Sequence, residues 1–217
     1  MVKLKKRKLN PYKVAKIAVI ALLFLAAPFV ISNIVRNEDK TFITVVDSLE
    51  IYNYELRETD TDYQKEIFNS LKELLNSDDI DDLEYAKYLG KLFIADFYTM
   101  DTKFNNQDVG GSKFIHDDMQ ESFVEYAKES VYAHVQSKLI RERNQNLPIV
   151  SNVELLDIEK NELLNDNFTY EATFKVTYSN IDNEEVKPPE NVFIVFDFID
   201  DKLVIVDFTT DVETKTE

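Results

Sequence analysis

Few side chains in this 217-residue chain could do chemistry, and their types bound what that chemistry is. There is no cysteine, which removes disulfides, thiolate metal sites and cysteine nucleophiles. His116 and His134 are the two imidazoles. The usual zinc site takes three or four His, Cys or carboxylate ligands, so no metal and no cofactor is expected. Asp96 is the carboxylate whose position asks for an explanation. In "DLEYAKYLGKLFIADFYTM" it falls on the helical stripe of Leu89, Leu92, Phe93 and Met100, not on the charged back. A carboxylate there needs a partner. As a functional group it is a general base or a ligand-binding group, with His134 as companion, since His134 falls near Ala127, Ser130 and Val131 on the inward side of a later helix. As a structural group it accepts backbone N–H bonds from the Gly110-Gly111 loop and pins it. Phe97 and Tyr98, with Phe93 and Phe104, are core or the lining of a small-ligand pocket. The candidate ligand-binding set is Asp96, His134, Phe97 and Tyr98, with no catalytic residue assigned.

"FNNQDVGGSKF", residues 104–114, holds two of the three glycines of the chain. A phosphate-cradling P-loop needs G-x-x-x-x-G-K-[ST] between a strand and a helix. "GGSK" follows a helix and lacks that spacing, so Gly110 and Gly111 are expected to form a structural loop that reverses the chain at positive φ. The acid pairs Asp78-Asp79, Asp81-Asp82, Asp117-Asp118 and Asp200-Asp201 lack the spaced ligands and glycine of a calcium loop, and serve as caps, turns and solvated faces.

The elements that must hold these residues read from the hydrophobic periodicity. Residues 36–59 form an extended lead-in, with the β-branched and aromatic run "TFITVVDSLEIYNYEL" as strand material. "DYQKEIFNSLKELLN" places Ile67, Leu71, Leu74 and Leu75 at helical intervals, and "SDDIDD" supplies a loop and the next N-cap. A second helix carries Ala86, Leu89, Phe93, Phe97 and Met100 inward. A third is predicted from Asp118, where Asp118 and Glu121 have capping-box spacing, to about Asn144, with Phe123, Ala127, Val131 and Val135 inward. After Pro148 the period changes to two. "FTYEATFKVTY" alternates cleanly, "IVSNVELLDIE" is a strand, and "NVFIVFDFIDDKLVIVDF" is a hairpin turning at Asp200-Asp201 whose two-sided apolarity suits central strands. Helices first and an antiparallel sheet afterwards make an α+β domain over 60–217, about three helices on a curved sheet of four or more strands.

Charge is distributed unevenly. Residues 1–16 carry seven Lys or Arg and no acid, which leaves 18 basic against 41 acidic residues in the remainder, a net of −23. So acidic a body repels nucleic-acid phosphates and anionic lipid. Residues 17–31, "IAVIALLFLAAPFVI", are uncharged, and with their neighbours over 14–35 approach the roughly 20 residues of a membrane-spanning helix. The expectation is therefore an N-terminal transmembrane helix over 14–35 behind a cytoplasmic basic tail over 1–13, oriented by its preceding lysines. The domain over 60–217 would then be extracytoplasmic, in a single-pass protein of the cell membrane. A signal peptide cleaved after Ser32 is the alternative.

The element order over 60–210 resembles the cone-shaped nuclear-transport-factor-two-like fold, in which a few helices fill the concave face of a curved antiparallel sheet. One N-terminal anchor before such a domain also resembles the bitopic assembly subunits of conjugative and type IV secretion machines. The resemblance implies a non-enzymatic interaction or assembly domain, with other envelope proteins as partners, no nucleic acid, and room for an oligomer. The alternative is a small-ligand-binding or hydrolytic domain using the interior of the cone.

Overall fold

The computed structural model of the protein describes residues 43–138, 143–162, 168–180 and 186–210. The described chain opens with a hairpin. β1 (Val45–Leu49) pairs antiparallel with β2 (Tyr54–Arg57), so the lead-in forms a two-stranded sheet of its own. Asn53 turns the chain between them at a φ of 56°, in the left-handed region that Asn tolerates better than most residues.

α1 (Asp62–Leu75) starts at a reciprocal cap. The Thr61 hydroxyl oxygen accepts from the Gln64 N–H at 3.2 Å, and Gln64 Oε1 accepts from the Thr61 N–H at 2.9 Å, which satisfies two donors that a helix start leaves open. Ile67, Phe68, Leu71 and Leu75 form its buried stripe. α2 (Asp82–Tyr98) is capped by Asp81, whose carboxylate accepts from the Leu83 and Glu84 N–H groups at 2.9 and 3.1 Å. It lies between α1 and the large sheet and is therefore apolar on more than one face. At Gly90 an added Cβ would come within 2.5 Å of the Phe174 ring, so the absence of a side chain there is what lets α2 approach the sheet this closely.

α3 (Asp117–Glu129) differs from its expected span at both ends. Its cap is His116, whose Nδ1 accepts from the Asp118 N–H at 3.2 Å, in place of the Asp118–Glu121 box. It stops at Glu129 instead of continuing towards Asn144. Ser130 leaves helical geometry at φ −116° and ψ −87°, and the chain folds back so that Tyr132 is fully buried. The Tyr132 hydroxyl donates to the Phe97 carbonyl at 2.5 Å and accepts from the Gly110 N–H at 3.2 Å. Two buried backbone groups gain their partner this way.

The large sheet is an antiparallel meander in the order β3 (Ile149–Glu162), β4 (Phe168–Ser179), β5 (Asn191–Ile199), β6 (Lys202–Thr210). Tyr170, Ala172, Phe174 and Val176 of β4 are buried and the residues between them are not, as their alternation requires. β5 and β6 turn through Asp200 and Asp201, both at positive φ, 50° and 64°, as a two-residue hairpin loop demands. β5 is central, but β6 is an edge strand. A register shift opposite Val195 and Phe196 leaves Val206 without a partner. That bulge reverses the parity of β6, so Phe208 instead of Asp207 shares the inward face with Ile205.

The membrane expectation is corrected here. Among the described residues no helix is long and apolar enough to cross a membrane. The three helices have 14, 17 and 13 residues, short of the roughly 20 apolar residues needed, and each carries charged positions for a solvated or capped end. The segment 14–35 lies outside the described residues, as does the tail over 1–13. The single-pass, cell-membrane and extracytoplasmic assignments are accordingly dropped, and what stands, among the described residues, is an α+β arrangement of three helices, a two-stranded sheet and a four-stranded sheet.

Candidate functional site

Asp96 sits in the last turn of α2 and faces the loop that carries the glycine pair. Lys103 Nζ donates to its Oδ1 at 2.5 Å, and the Gly111 N–H donates to its Oδ2 at 2.7 Å. Burial pushes the Asp96 carboxyl up, but the charges of Lys103 and Arg57 and the bonds from Lys103 and Gly111 more than offset it, holding the group below the usual carboxylate range. Lys103 is the more enclosed partner, with 1% of its side chain exposed against 20% for Asp96. Gly111 adopts φ +76°, and at Gly110 an added Cβ would lie 2.3 Å from the Asp96 carbonyl oxygen. The glycines therefore let the loop lie against the helix end.

A second ion pair extends this knot. Arg57 Nη1 donates to Asp108 Oδ1 at 2.8 Å, and Asp108 Oδ2 accepts from the Phe104 N–H at 3.1 Å. Asp60 accepts from the Arg57 N–H at 2.7 Å, and burial pushes its carboxyl up. These groups are occupied with one another. A general base needs a lone pair aimed at its substrate, and both Asp96 oxygens are taken up by Lys103 and Gly111. His134 is exposed, beyond the end of α3, with its backbone carbonyl accepting from Gln145 Nε2 at 2.7 Å. The structure thus joins Asp96 to Gly111 and Lys103 and leaves His134 apart from both. The reason is the early end of α3, which removes the helical face on which His134 was expected.

Phe97 and Tyr98 do line a cavity. A cleft of about 780 Å³ opens between α3 and β6. Its floor holds Phe97, Phe123 and Phe208, whose rings meet at tilted and edge-on angles: Phe97 and Phe123 at 5.0 Å between centroids, Phe208 and Phe123 at 5.8 Å. One wall is α3, where Met119, Ser122, Phe123 and Tyr126 fall at spacings of three, four and seven from Met119, with Ser130 just past the helix end. Met119 and Tyr126 stand exposed at the rim, at 41% and 63%. The opposite wall is the strand itself: residues 205–210 of β6 line the cleft consecutively. The bulge at Val206 breaks the alternation within this run, and β6 is the end strand of its sheet, so both face and edge of the strand border the cleft. Val186, Lys187, Pro188 and Pro189 close one end.

The cleft residues on β6 and in 186–189 escaped the sequence reading. Their signal was the break in "LVIVDF", where strict alternation would turn Asp207 inward and only a bulge avoids it. The stripe of Met119, Ser122 and Tyr126 beside the core stripe of α3 was a second one. Lys187 and Asp207 are the charged side chains of the lining. Among the described residues no group of His, Asp or Glu side chains is placed to hold a metal ion. No family model, no curated protein and no solved structure matches this chain. The resemblance in element order therefore adds nothing to the reading of the cleft.

Proposed function

We propose that the domain is a non-enzymatic binding module and that its work is done in the cleft between α3 and β6. The observation that carries this reading is the combination of an apolar aromatic floor, two exposed apolar side chains at the rim and the open edge of a strand along one wall. The volume lies within the roughly 300–1,000 Å³ usual for ligand sites. Binding is favoured over catalysis because the buried ion pair of Asp96 and Lys103 is closed on itself and neither residue lines the cleft. Membership of a cell-envelope complex leaned on the membrane anchor and is not carried forward.

Saturable binding of a neutral apolar dye such as Nile red to the full chain tests the reading. Ser122 is exposed on the α3 wall, so Ser122→Trp fills the cleft without disturbing the core. The variant should keep the wild-type circular dichroism melt and lose dye binding at one site per chain. Equal dye binding by the two proteins would overturn the assignment.

A further inference from the structure

We infer that the ligand of the cleft is a long-chain carboxylate: one alkyl chain of about twelve to fourteen carbons laid along β6, its carboxylate at Lys187 and its methyl end between Ile115 and Met119. The inference rests on the reading of the cleft as the binding site. Two observations carry it beyond that reading: the ends of the cleft differ in polarity, and its two walls agree on its length.

At one end the chain bridges Ile115 to Ile205, with the His116 N–H donating to the Ile205 carbonyl at 2.9 Å, and at Asp117 it turns into α3 and leaves the strand. Ile115, Met119 and Ile205 line this end, and none of their side chains carries a charge or a hydrogen-bond donor. At the other end β6 finishes at Thr210, paired with Val192, beside the segment that leads into β5. Lys187 of that segment and Thr210 line this end. Among the described residues Lys187 forms no ion pair. Its backbone is held in place: Val186 is buried, the Tyr178 hydroxyl donates to the Pro189 carbonyl at 2.8 Å, and the Val176 N–H donates to the Glu190 carbonyl at 2.8 Å. Pro188 and Pro189 stiffen it further. Asp207, the other charged residue of the lining, alternates with Phe208 and so belongs to the opposite face of β6 from the phenylalanine floor. A head group at the Thr210 end therefore meets the ammonium. The chain's net charge of −16 opposes anions at long range, but salt screens that field beyond ~8 Å, and the nearest charge decides.

The length follows from either wall. From Ile205 to Thr210 the strand advances about 16 Å. From Met119 to Ser130, at about 1.5 Å per residue, the helix wall also gives about 16 Å. An extended polypeptide advances about 3.6 Å per residue, which is three backbone bonds, so an all-trans carbon chain advances about 1.2 Å per bond. The cleft thus accommodates about thirteen bonds. Between the two ends lie the rings of Phe97, Phe123 and Phe208, an apolar bed for the methylenes.

The test is displacement of Nile red from the full chain by dodecanoate, dodecanol and dodecyltrimethylammonium, each kept below the concentration at which it forms micelles. The three share a chain and differ in the head. Dodecanoate should displace the dye at a concentration about fivefold below dodecanol, and the ammonium should be the weakest. Lys187→Met should bring dodecanoate and dodecanol to within about twofold of each other. That ratio is internal to each protein, so a change in dye affinity cancels. The seven basic residues of 1–16 are intact in the variant, so the lost preference places the head at Lys187. Equal displacement by the acid and the alcohol in the wild type, or an unchanged preference in Lys187→Met, would overturn the head-group assignment. Along the carboxylate series the displacing concentration should fall about twofold per added methylene and level off at about fourteen carbons, half the full transfer free energy being realised in a cleft open on one side. Continued tightening up to the eighteen-carbon acid would overturn the length. If Ser122→Trp removes dye binding but no twelve-carbon amphiphile displaces the dye, the alkyl ligand is wrong and the binding site stands. Absence of saturable dye binding would show that the site itself was misread.

Discussion

Replacing Lys103 by Met gives the sharpest test of how the domain is held together. Met keeps an unbranched side chain one atom shorter than that of Lys and removes its charge, in a position where 1% of the lysine is exposed. Asp96 then keeps the Gly111 N–H at 2.7 Å and the field of Arg57, but loses the ammonium at 2.5 Å. Breaking a buried pair costs about 3–5 kcal/mol because the remaining charge is left uncompensated. The Asp96 carboxylate retains 20% exposure, and water reaching it places the expected loss at the lower end, about 3 kcal/mol. Asp96→Asn strands the lysine instead and should cost as much or more, whereas the double variant leaves no unpaired charge. The two single losses should therefore exceed the double loss by at least about 2 kcal/mol. Urea unfolding followed by far-UV circular dichroism at pH 7 measures all three, with an unchanged slope certifying that stability alone has moved. A loss below about 1 kcal/mol for Lys103→Met, or additive singles, would refute the reasoning. The acid limb supplies a second readout. Asp96 is held below the ordinary value of 3.8, so its contribution is present above that pH and is lost as pH falls through the folded value. Asp60, raised first by burial and also by the Asp96 charge, works in the opposite sense and offsets part of the difference between the two proteins. Wild type should thus lose stability more steeply than Asp96→Asn as pH falls below about 4.

Gly111→Ala should cost about 2–4 kcal/mol in the same assay, from left-handed backbone strain at φ +76° and a Cβ 2.9 Å from the Phe93 ring. A loss within 0.5 kcal/mol of zero would mean that the loop does not rest on α2 as described. Asp201→Gly should go the other way and raise stability by about 0.5–1 kcal/mol, because Asp201 sits at φ 64° in a turn that favours glycine; a lowered thermal midpoint would contradict the turn geometry. At high pH, Tyr54, Tyr85 and Tyr132 should lag behind the other tyrosines in an absorbance titration at 295 nm, since burial pushes all three up, Tyr85 to about 12. Groups raised in this way contribute stability that is complete below pH 10 and drains as pH rises through their folded values, about 3 kcal/mol for Tyr85 alone. Ionisation of every tyrosine near pH 10 with an unchanged dichroism spectrum would be the opposing result.

Much of this architecture was legible in the chain because it is set by neighbours a few residues apart. The start of α1 follows from Thr61 and Gln64, the start of α2 from Asp81, and the alternation of 168–178 from the pleat of a strand. The turn at Asp200 and Asp201 is equally local. Other features belong to the tertiary structure because the groups that decide them lie far apart along the chain. α3 has the periodicity to continue past Glu129, but Tyr132 is claimed by the Phe97 carbonyl, 35 residues away. Asp96 announces by its place on an apolar stripe that it needs a partner, while the choice of Lys103 and Gly111 over His134 depends on how the 104–114 loop closes on the helix end. The two-sided apolarity of β6 suits a central strand, yet its place at the edge is settled by the order in which four strands pair. The cleft exists only because the chain leaves that edge at Asp117, and no local pattern specifies the space between two elements that meet through the fold.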